Sequence, residues 1–466
     1  MGIVAKAAPE KIEDGWHAAR LIPTTGIGGQ DEQEQRATSS LLAVMQAVPE
    51  FSRALLKYLD APAGRIRTFS EVRFKNAIDK KVSIPDGGIV VDRGKTEWRC
   101  LVEVKTGHAD LRPEQVAGYL DIARDNGIQA VLTISNQITS SPSEPPFPVD
   151  SKKTKKVVLR HLSWWHIMTE AIDQLRHRGI SDPDQAWILG ELIAYLDNER
   201  SGASGFTDMG DKWVSVRDGA RALTLRSNDP AAGEVAHRFV EFTQWLALGL
   251  RQDLGRDVSV IWPKNETPAA RQASLVEKMV ETGRLNASVK VPGAINPVDI
   301  CVDLRTRLVD TSVQVAAPRD GRAKTRITWL LRQLRDAPPR VRIDASFPMV
   351  KESTSAMLTV AAKSPEALQW SKDPKREPRS FTVALSREMG IKRGKGPGSF
   401  VAESKVQVVD FYRLVVQSLK PWSAGAPKLP LPVVEGDELA SPRPPDYTAD
   451  TRDPGEGRDP ETEVGA

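Results

Sequence analysis

Asp86, Glu103 and Lys105 are the residues of this 466-residue chain whose types and spacing could do chemistry. Ile84-Pro85-Asp86 opens one strand of an expected hairpin, and Leu101-Val102-Glu103-Val104-Lys105 lies on the next. Side chains alternate along a strand, so Glu103 and Lys105 share one face. Cys100, Val102 and Val104 then point to the other, apolar face. Two carboxylates and an ammonium gathered across a hairpin suit a hard divalent cation, which takes carboxylate oxygens and keeps several waters. Such a cation holds a phosphate oxygen and lowers the pKa of a bound water. Lys105 would orient or deprotonate that water, or offset charge on a pentacovalent phosphate. The plainer alternative is an exposed hairpin, with Asp86 as a turn residue and Glu103–Lys105 as a surface pair. It fits poorly, because Leu101, Val102 and Val104 make the strand apolar.

The elements that must position these residues read as mixed α/β. Residues 31–48 form a helix with Ala37, Leu41, Leu42, Met45 and Val48 on its apolar stripe. Strands are expected at 66–74, 87–92 and 98–105, with a turn at Asp92-Arg93-Gly94-Lys95. Pro113 opens a helix to about Arg124. Strands at 128–135 and 157–161 and a helix at 163–178 follow. Glu34 falls on the core-facing stripe of the first helix, three residues before Ala37 and seven before Leu41, where a carboxylate needs a partner. Glu32 replaces it if the helix phase is half a turn different. Gln115 and Tyr119 stand one helical turn apart, so both can reach the same site.

Pro85-Asp86 followed by Glu103-Val104-Lys105 resembles the PD-(D/E)XK nuclease superfamily, which has the restriction-endonuclease-like fold. Gln115-Val116-Ala117-Gly118-Tyr119 is similar to the QxxxY pattern of its RecB-like branch. The resemblance implies a nuclease-like mixed sheet flanked by helices, and metal-dependent hydrolysis of phosphodiester bonds. It implies Asp86 and Glu103 as ligands of Mg²⁺ or Mn²⁺, the main-chain carbonyl of Val104 as a further ligand, and Lys105 as the catalytic lysine. It also implies a helix-borne acidic ligand, here Glu34, and a substrate-positioning role for Gln115. The expected partner is nucleic acid, DNA rather than RNA, in restriction, repair or defence. A second reading is a stress-response or scaffold protein that keeps the fold without activity. A phosphoesterase for small nucleotides is a weaker third, because no nucleotide-binding fingerprint is present.

Three regions are expected: a nuclease-like domain over 1–200, a second α/β domain over 201–420, and an acidic Pro-rich disordered tail over 421–466. Breaks rich in Pro, Ser, Gly and Lys at 137–156 and 197–212 separate ordered runs. In the second half, helices at 234–252 and 268–282 flank a strand at 257–262. Strands at 285–291, 298–304 and 308–315, a helix at 323–335 and a strand at 340–346 repeat the earlier order. Pro297-Val298-Asp299 stands where Pro85-Asp86 would, and Thr311-Ser312-Val313-Gln314-Val315 where Glu-x-Lys would. A degenerate, ligand-free copy is one expectation; an unrelated α/β domain is the other.

With 40% hydrophobic and 27% charged residues, the chain can bury a core. It holds no run of about 18 apolar residues, so no membrane span is expected. No signal-peptide core is visible at the start, and Lys6 stands where a myristoylation motif wants Ser or Thr. Cys100 and Cys301 are too few for a disulfide framework and read as buried free thiols. A cytoplasmic location follows. The net charge of +4 divides unevenly: ten acidic and four basic residues after 420 give −6, leaving +10 before it. That favours a polyanionic partner. A homodimer, and a protein partner for the second domain or tail, are compatible with the chain. Gly26-Ile27-Gly28-Gly29 reads as a lead-in to the first helix rather than a phosphate loop. The basic runs Lys152–Lys156 and Lys392–Gly398 read as solvated loops, with phosphate contact as the alternative. His108 reads as a surface loop residue, with phosphate contact as the alternative, and Trp164, Trp165 and His166 as core or domain-packing residues rather than a stacking platform.

Overall fold

The computed structural model describes residues 17–18, 30–75, 82–203, 205–392, 394 and 396–423. The Gly26–Gly29 segment, Arg393, Lys395 and the chain after Ser423 lie outside the described residues. The first half begins with β1 (His17–Ala18), α1 (Gln30–Ala47) and α2 (Pro49–Leu56). Then come β2 (Arg65–Ser70), β3 (Phe74–Lys75), β4 (Val82–Ser83), β5 (Gly87–Arg93) and β6 (Thr96–Val104). α3 (Pro113–Asp125), β7 (Ala130–Ser135), β8 (Val158–Ser163), α4 (Trp164–Asp173) and α5 (Pro183–Asp197) complete it.

Local chemistry sets these boundaries. Pro49, Pro113 and Pro183 occupy first-turn positions, where a missing N–H costs nothing. Ser163 and Asp182 cap α4 and α5 by accepting backbone N–H groups. The strand expected over 66–74 stops at Ser70, because Glu71 turns to a positive φ of 54°. The helix expected to Arg178 ends its α-helical part at Asp173 and closes with one π-turn.

The first sheet has the order β1-β2-β5-β6-β7-β8. β2, β5 and β6 pair antiparallel, whereas β6–β7 and β7–β8 are parallel. Both faces are covered. Leu41, Leu42 and Met45 of α1, with α4 and α5, bury Cys100, Val102 and Val104. Val116, Tyr119 and Leu120 of α3 bury Leu101 and Val131 on the other side. β6 and β7 therefore read as apolar runs, as a doubly covered parallel pair must. Each buried Leu contributes about 1.5–3 kcal/mol. Gly87 is small for a reason: a Cβ there would lie 2.5 Å from Leu42 Cδ1, so glycine lets α1 close on β5 beside Asp86.

The second half contains α6 (Trp213–Arg221), α7 (Pro230–Leu254), β9 (Ser259–Ile261), α8 (Pro268–Thr282), β10 (Arg284–Lys290) and β11 (Val298–Asp303). β12 (Leu308–Ala316), α9 (Ala323–Gln333), β13 (Arg342–Ser346) and β14 (Ser353–Met357) follow. α10 (Leu358–Lys363), β15 (Ser380–Glu388) and α11 (Phe400–Leu414) end it. The sheet order is β14-β13-β15-β12-β11-β10-β9, and every pairing is antiparallel. This corrects the expected repeat of the first half. The elements recur in chain order, but β13 does not lie beside β12 as β7 lies beside β6. β15 takes that edge, pairing with β12 from Leu308↔Glu388 to Ala316↔Ser380. Its alternating Phe381, Val383 and Leu385 are buried, which anchors it in the centre of the sheet. Cys301 is half-buried rather than buried, on the open face of β11. Among the described residues, no helix is long and apolar enough to cross a membrane.

Candidate functional site

β6 carries its polar residues to the buried end of the first sheet. Glu103 is completely buried, Val104 ends the strand, and Lys105 follows. The antiparallel register Gly87↔Val102 brings Asp86 alongside Glu103. Asp86 is fixed through its main chain and its side chain. Its carbonyl accepts from Glu71 N at 3.0 Å, the Pro85 carbonyl accepts from Val72 N at 3.1 Å, and its Oδ2 accepts from Val104 N at 2.7 Å. The first turns of α1 supply Glu34.

Four oxygens converge on the Lys105 ammonium. Nζ donates to Glu34 Oε1 at 2.8 Å and to the Val104 carbonyl at 2.8 Å. It lies 2.8 Å from Glu103 Oε1 and 3.9 Å from Asp86 Oδ2. The Glu103 contact is a buried ion pair at the base of the cluster. Glu32 instead pairs with Arg36 one turn along α1, so the helix phase brings Glu34 into the site.

The electrostatics follow from crowding charge in a dry place. Burial pushes the Asp86 carboxyl well above the usual carboxylate range; the neighbouring Glu103 adds to this and Lys105 opposes it. Burial raises Glu103 as well, against the same ammonium. Burial alone would lower Lys105, but the Asp86 and Glu103 charges outweigh it and hold the amine protonated. On α3, Gln115 Nε2 donates to Tyr119 Oη at 3.0 Å. Burial, then the Glu103 charge, raises the Tyr119 hydroxyl.

Three carboxylates facing one ammonium carry a formal charge of −2, and their oxygens are the hard donors a divalent cation prefers. The donor types are those such an ion prefers, but here they close on the Lys105 ammonium. Among the described residues, no three His, Cys, Asp or Glu side chains gather as a ready metal cage. At this site Glu34, Glu103 and the Val104 carbonyl all face the Lys105 ammonium at 2.8 Å.

The structure thus brings together Glu34, Asp86, Glu103, Val104 and Lys105, with Gln115 joined through Tyr119. His108 is exposed on the loop after Lys105. Lys153 is engaged with Asp121 on α3, at 2.5 Å. Trp164 is core, as its sequence context suggests, yet its Nε1–H also donates to the Lys105 carbonyl at 2.9 Å. With Lys105 N donating to the Ile134 carbonyl at 2.8 Å, that contact fixes the main chain of the lysine. Thr133, paired across the sheet with Glu103, continues a buried polar row to His161. Neither Trp164 nor Thr133 is singled out as a site residue by spacing; a Trp directly after a strand was the available signal. A cavity of about 790 Å³, lined by Gly107 and Trp164 among others, lies beside this cluster and is not lined by its carboxylates.

Fold and site together define a mixed α/β protein with a buried carboxylate–lysine cluster at the end of a central strand. Comparison of the chain with protein-family models, curated proteins and solved structures gives no match.

Proposed function

We propose that this cluster is the active site of a Mg²⁺- or Mn²⁺-dependent nuclease that hydrolyses phosphodiester bonds, in DNA rather than RNA. The observation that carries the reading is the gathering of Glu34, Asp86, Glu103 and the Val104 carbonyl around the Lys105 ammonium, three carboxyl groups to one cationic side chain. The order of α1, antiparallel β2–β5–β6, α3 and parallel β7 supports it, because it is the order implied by the PD-(D/E)XK resemblance.

Asp86, Glu103, Glu34 and the Val104 carbonyl would hold the cation. When bound, it supplies a Lewis acid for a phosphate oxygen and a bound water of lowered pKa. The chain does the rest. Asp86 stays aimed by its bond from Val104 N. Lys105, kept protonated by its neighbours, offsets the negative charge that grows on the phosphoryl oxygens as water attacks. Gln115, anchored on Tyr119, positions the strand. α1 and α3 cover both faces of the sheet and keep the floor of the site dry, which strengthens each of these interactions.

The test is cleavage of circular and linear DNA by purified wild type, Asp86→Ala and Glu103→Ala, with Mg²⁺, with Mn²⁺ and with chelator. Metal-dependent cleavage by wild type alone is expected. Loss of circular substrate identifies an endonuclease, and attack on ends alone an exonuclease. Equal cleavage by all three proteins would sink the reading. So would no cleavage together with no metal-dependent rise in melting temperature, which leaves a scaffold role.

A further inference from the structure

The 790 Å³ cleft beside the carboxylates has no part in the hydrolysis just described, yet it is built onto the same strand. Trp164 lines it and holds the Lys105 carbonyl. Its rim begins at Gly107, two residues beyond Lys105, and its far wall comes from α7 and α11. The size suits a single small ligand or one nucleotide unit.

The walls are aromatic. Trp165 and Trp245 have ring centres 6.0 Å apart and planes inclined by 35°, and Phe206 lies 6.2 Å from Trp245. The chain passes them at Gly205, where a Cβ would come within 2.9 Å of both Trp165 Cε3 and Trp245 Nε1. Any side chain there would clash with both indoles, so glycine lets the backbone pack against the two rings. Trp245 and Phe206 are buried, with Lys405 over one ring and Arg238 over the other, so the half-buried Trp165 is the ring left to stack on a heteroaromatic ligand.

Charge narrows the choice. Arg238 is already engaged: it lies 2.5 Å from Glu241 and 4.5 Å over the Phe206 ring. Asp110, Asp197 and Glu199 stand exposed around the cleft and disfavour a phosphate inside it. Lys405, exposed, with Nζ 5.6 Å from the Trp245 ring, can meet a phosphate that stays outside. Carboxylates accept hydrogen bonds from exocyclic amino groups and repel exocyclic carbonyls.

We propose that the cleft takes one unpaired, amino-bearing nucleobase, adenine or cytosine in preference to thymine, from the strand delivered to the carboxylate site. The source of that base rests on the nuclease reading; the stacking and charge arguments do not. The substrate would then be single-stranded, or have a base extruded from its duplex.

The experiment is titration of the full chain in chelator with labelled oligo-dA, oligo-dC and oligo-dT, and with free adenosine, reading anisotropy and tryptophan fluorescence. Oligo-dA and oligo-dC should quench tryptophan and bind at least about tenfold tighter than oligo-dT. Trp165→Ala should weaken them by at least about tenfold, the loss of one stacked base. Ala109→Trp, on the exposed rim, should do the same by blocking the mouth and keeps the test open if Trp165→Ala fails to fold. Equal binding of dA and dT, or adenosine binding without oligonucleotide binding, overturns the proposal. If Trp165→Ala and Ala109→Trp bind like wild type while Glu103-dependent cleavage stands, the cleft assignment falls and the active site survives. Selective binding with no cleavage by any variant does the reverse.

Discussion

Two buried charge clusters lie in this protein, and they are built on opposite principles. At the contact between α4 and α7, Glu170 and Asp173 face Arg178 and Arg251, two charges against two. Arg251 Nη2 lies 2.6 Å from Glu170 and 3.0 Å from Asp173, Arg178 Nη2 lies 2.6 Å from Asp173, and Tyr58 Oη donates to Glu170 at 2.5 Å. At the end of β6, three carboxylates share the single ammonium of Lys105, and the fully buried Glu103 meets it at 2.8 Å. The first network matches two arginines to two buried carboxylates and ties two parts of the chain together. In the second, three carboxyl groups share one cationic side chain, and Glu34 and Asp86 are partly open to solvent.

The comparison can be broken most severely at Glu103. Glu103→Gln should lower metal-dependent DNA cleavage by at least about 10³-fold, the loss expected when a transition-state electrostatic contact goes. Its metal-free melting temperature should match or exceed that of wild type, because Lys105 keeps Glu34 and Val104. A large fall in metal-free stability would mean that Glu103 is structural after all. In the balanced cluster, Arg251→Met should have the opposite profile, costing about 3–5 kcal/mol in urea unfolding because it leaves Glu170 and Asp173 short of a cation. A loss under 1 kcal/mol would remove the distinction between the two clusters.

A smaller effect sharpens the argument at Lys105. Lys105→Met should bind Mn²⁺ at least about tenfold tighter by calorimetry, since the ammonium no longer occupies the centre of the donors. Unchanged or weaker affinity would place the cation elsewhere. The last effect concerns the neutral histidines. Burial lowers His161 to about 4 and His166 to about 3, so both stay uncharged in the fold. Between those values and the ordinary 6.5, the unfolded chain binds protons that the folded one refuses. Stability is therefore full above pH 6.5 and should fall by about 2 kcal/mol per histidine as the pH drops to about 5. His161→Gln should shrink that slope, as read by melting temperature against pH; an unchanged slope would assign it to other groups.

Much of the site was legible because its parts are local. Asp86, Glu103 and Lys105 lie on adjacent strands whose register follows from alternation, and Glu34 was found by helix phase. The contact of Trp164 with Lys105 was not legible, since a main-chain carbonyl leaves no mark in the residue pattern. The cleft was illegible for a related reason: its walls come from loops and helices far apart in the chain. The second sheet misled in a different way. Pro297-Val298-Asp299 and the run of strands after it echo the first half, but local order does not say which later strand takes an open edge. Phe381, Val383 and Leu385 carried the alternation of a strand; their partner was a nonlocal choice. The fold class, a mixed α/β protein with two sheets, was readable from periodicity alone.

The position of β15 also sets a timetable. The first sheet has all its strands once Ser163 has left the ribosome, but the second lacks its central strand until Glu388 has emerged. Until then β12 offers a nine-residue unpaired edge, and the β13–β14 hairpin has no neighbour to dock on. A nascent chain stalled before Ser380 would carry a finished first half and a sticky second one, the kind of intermediate that chaperones hold.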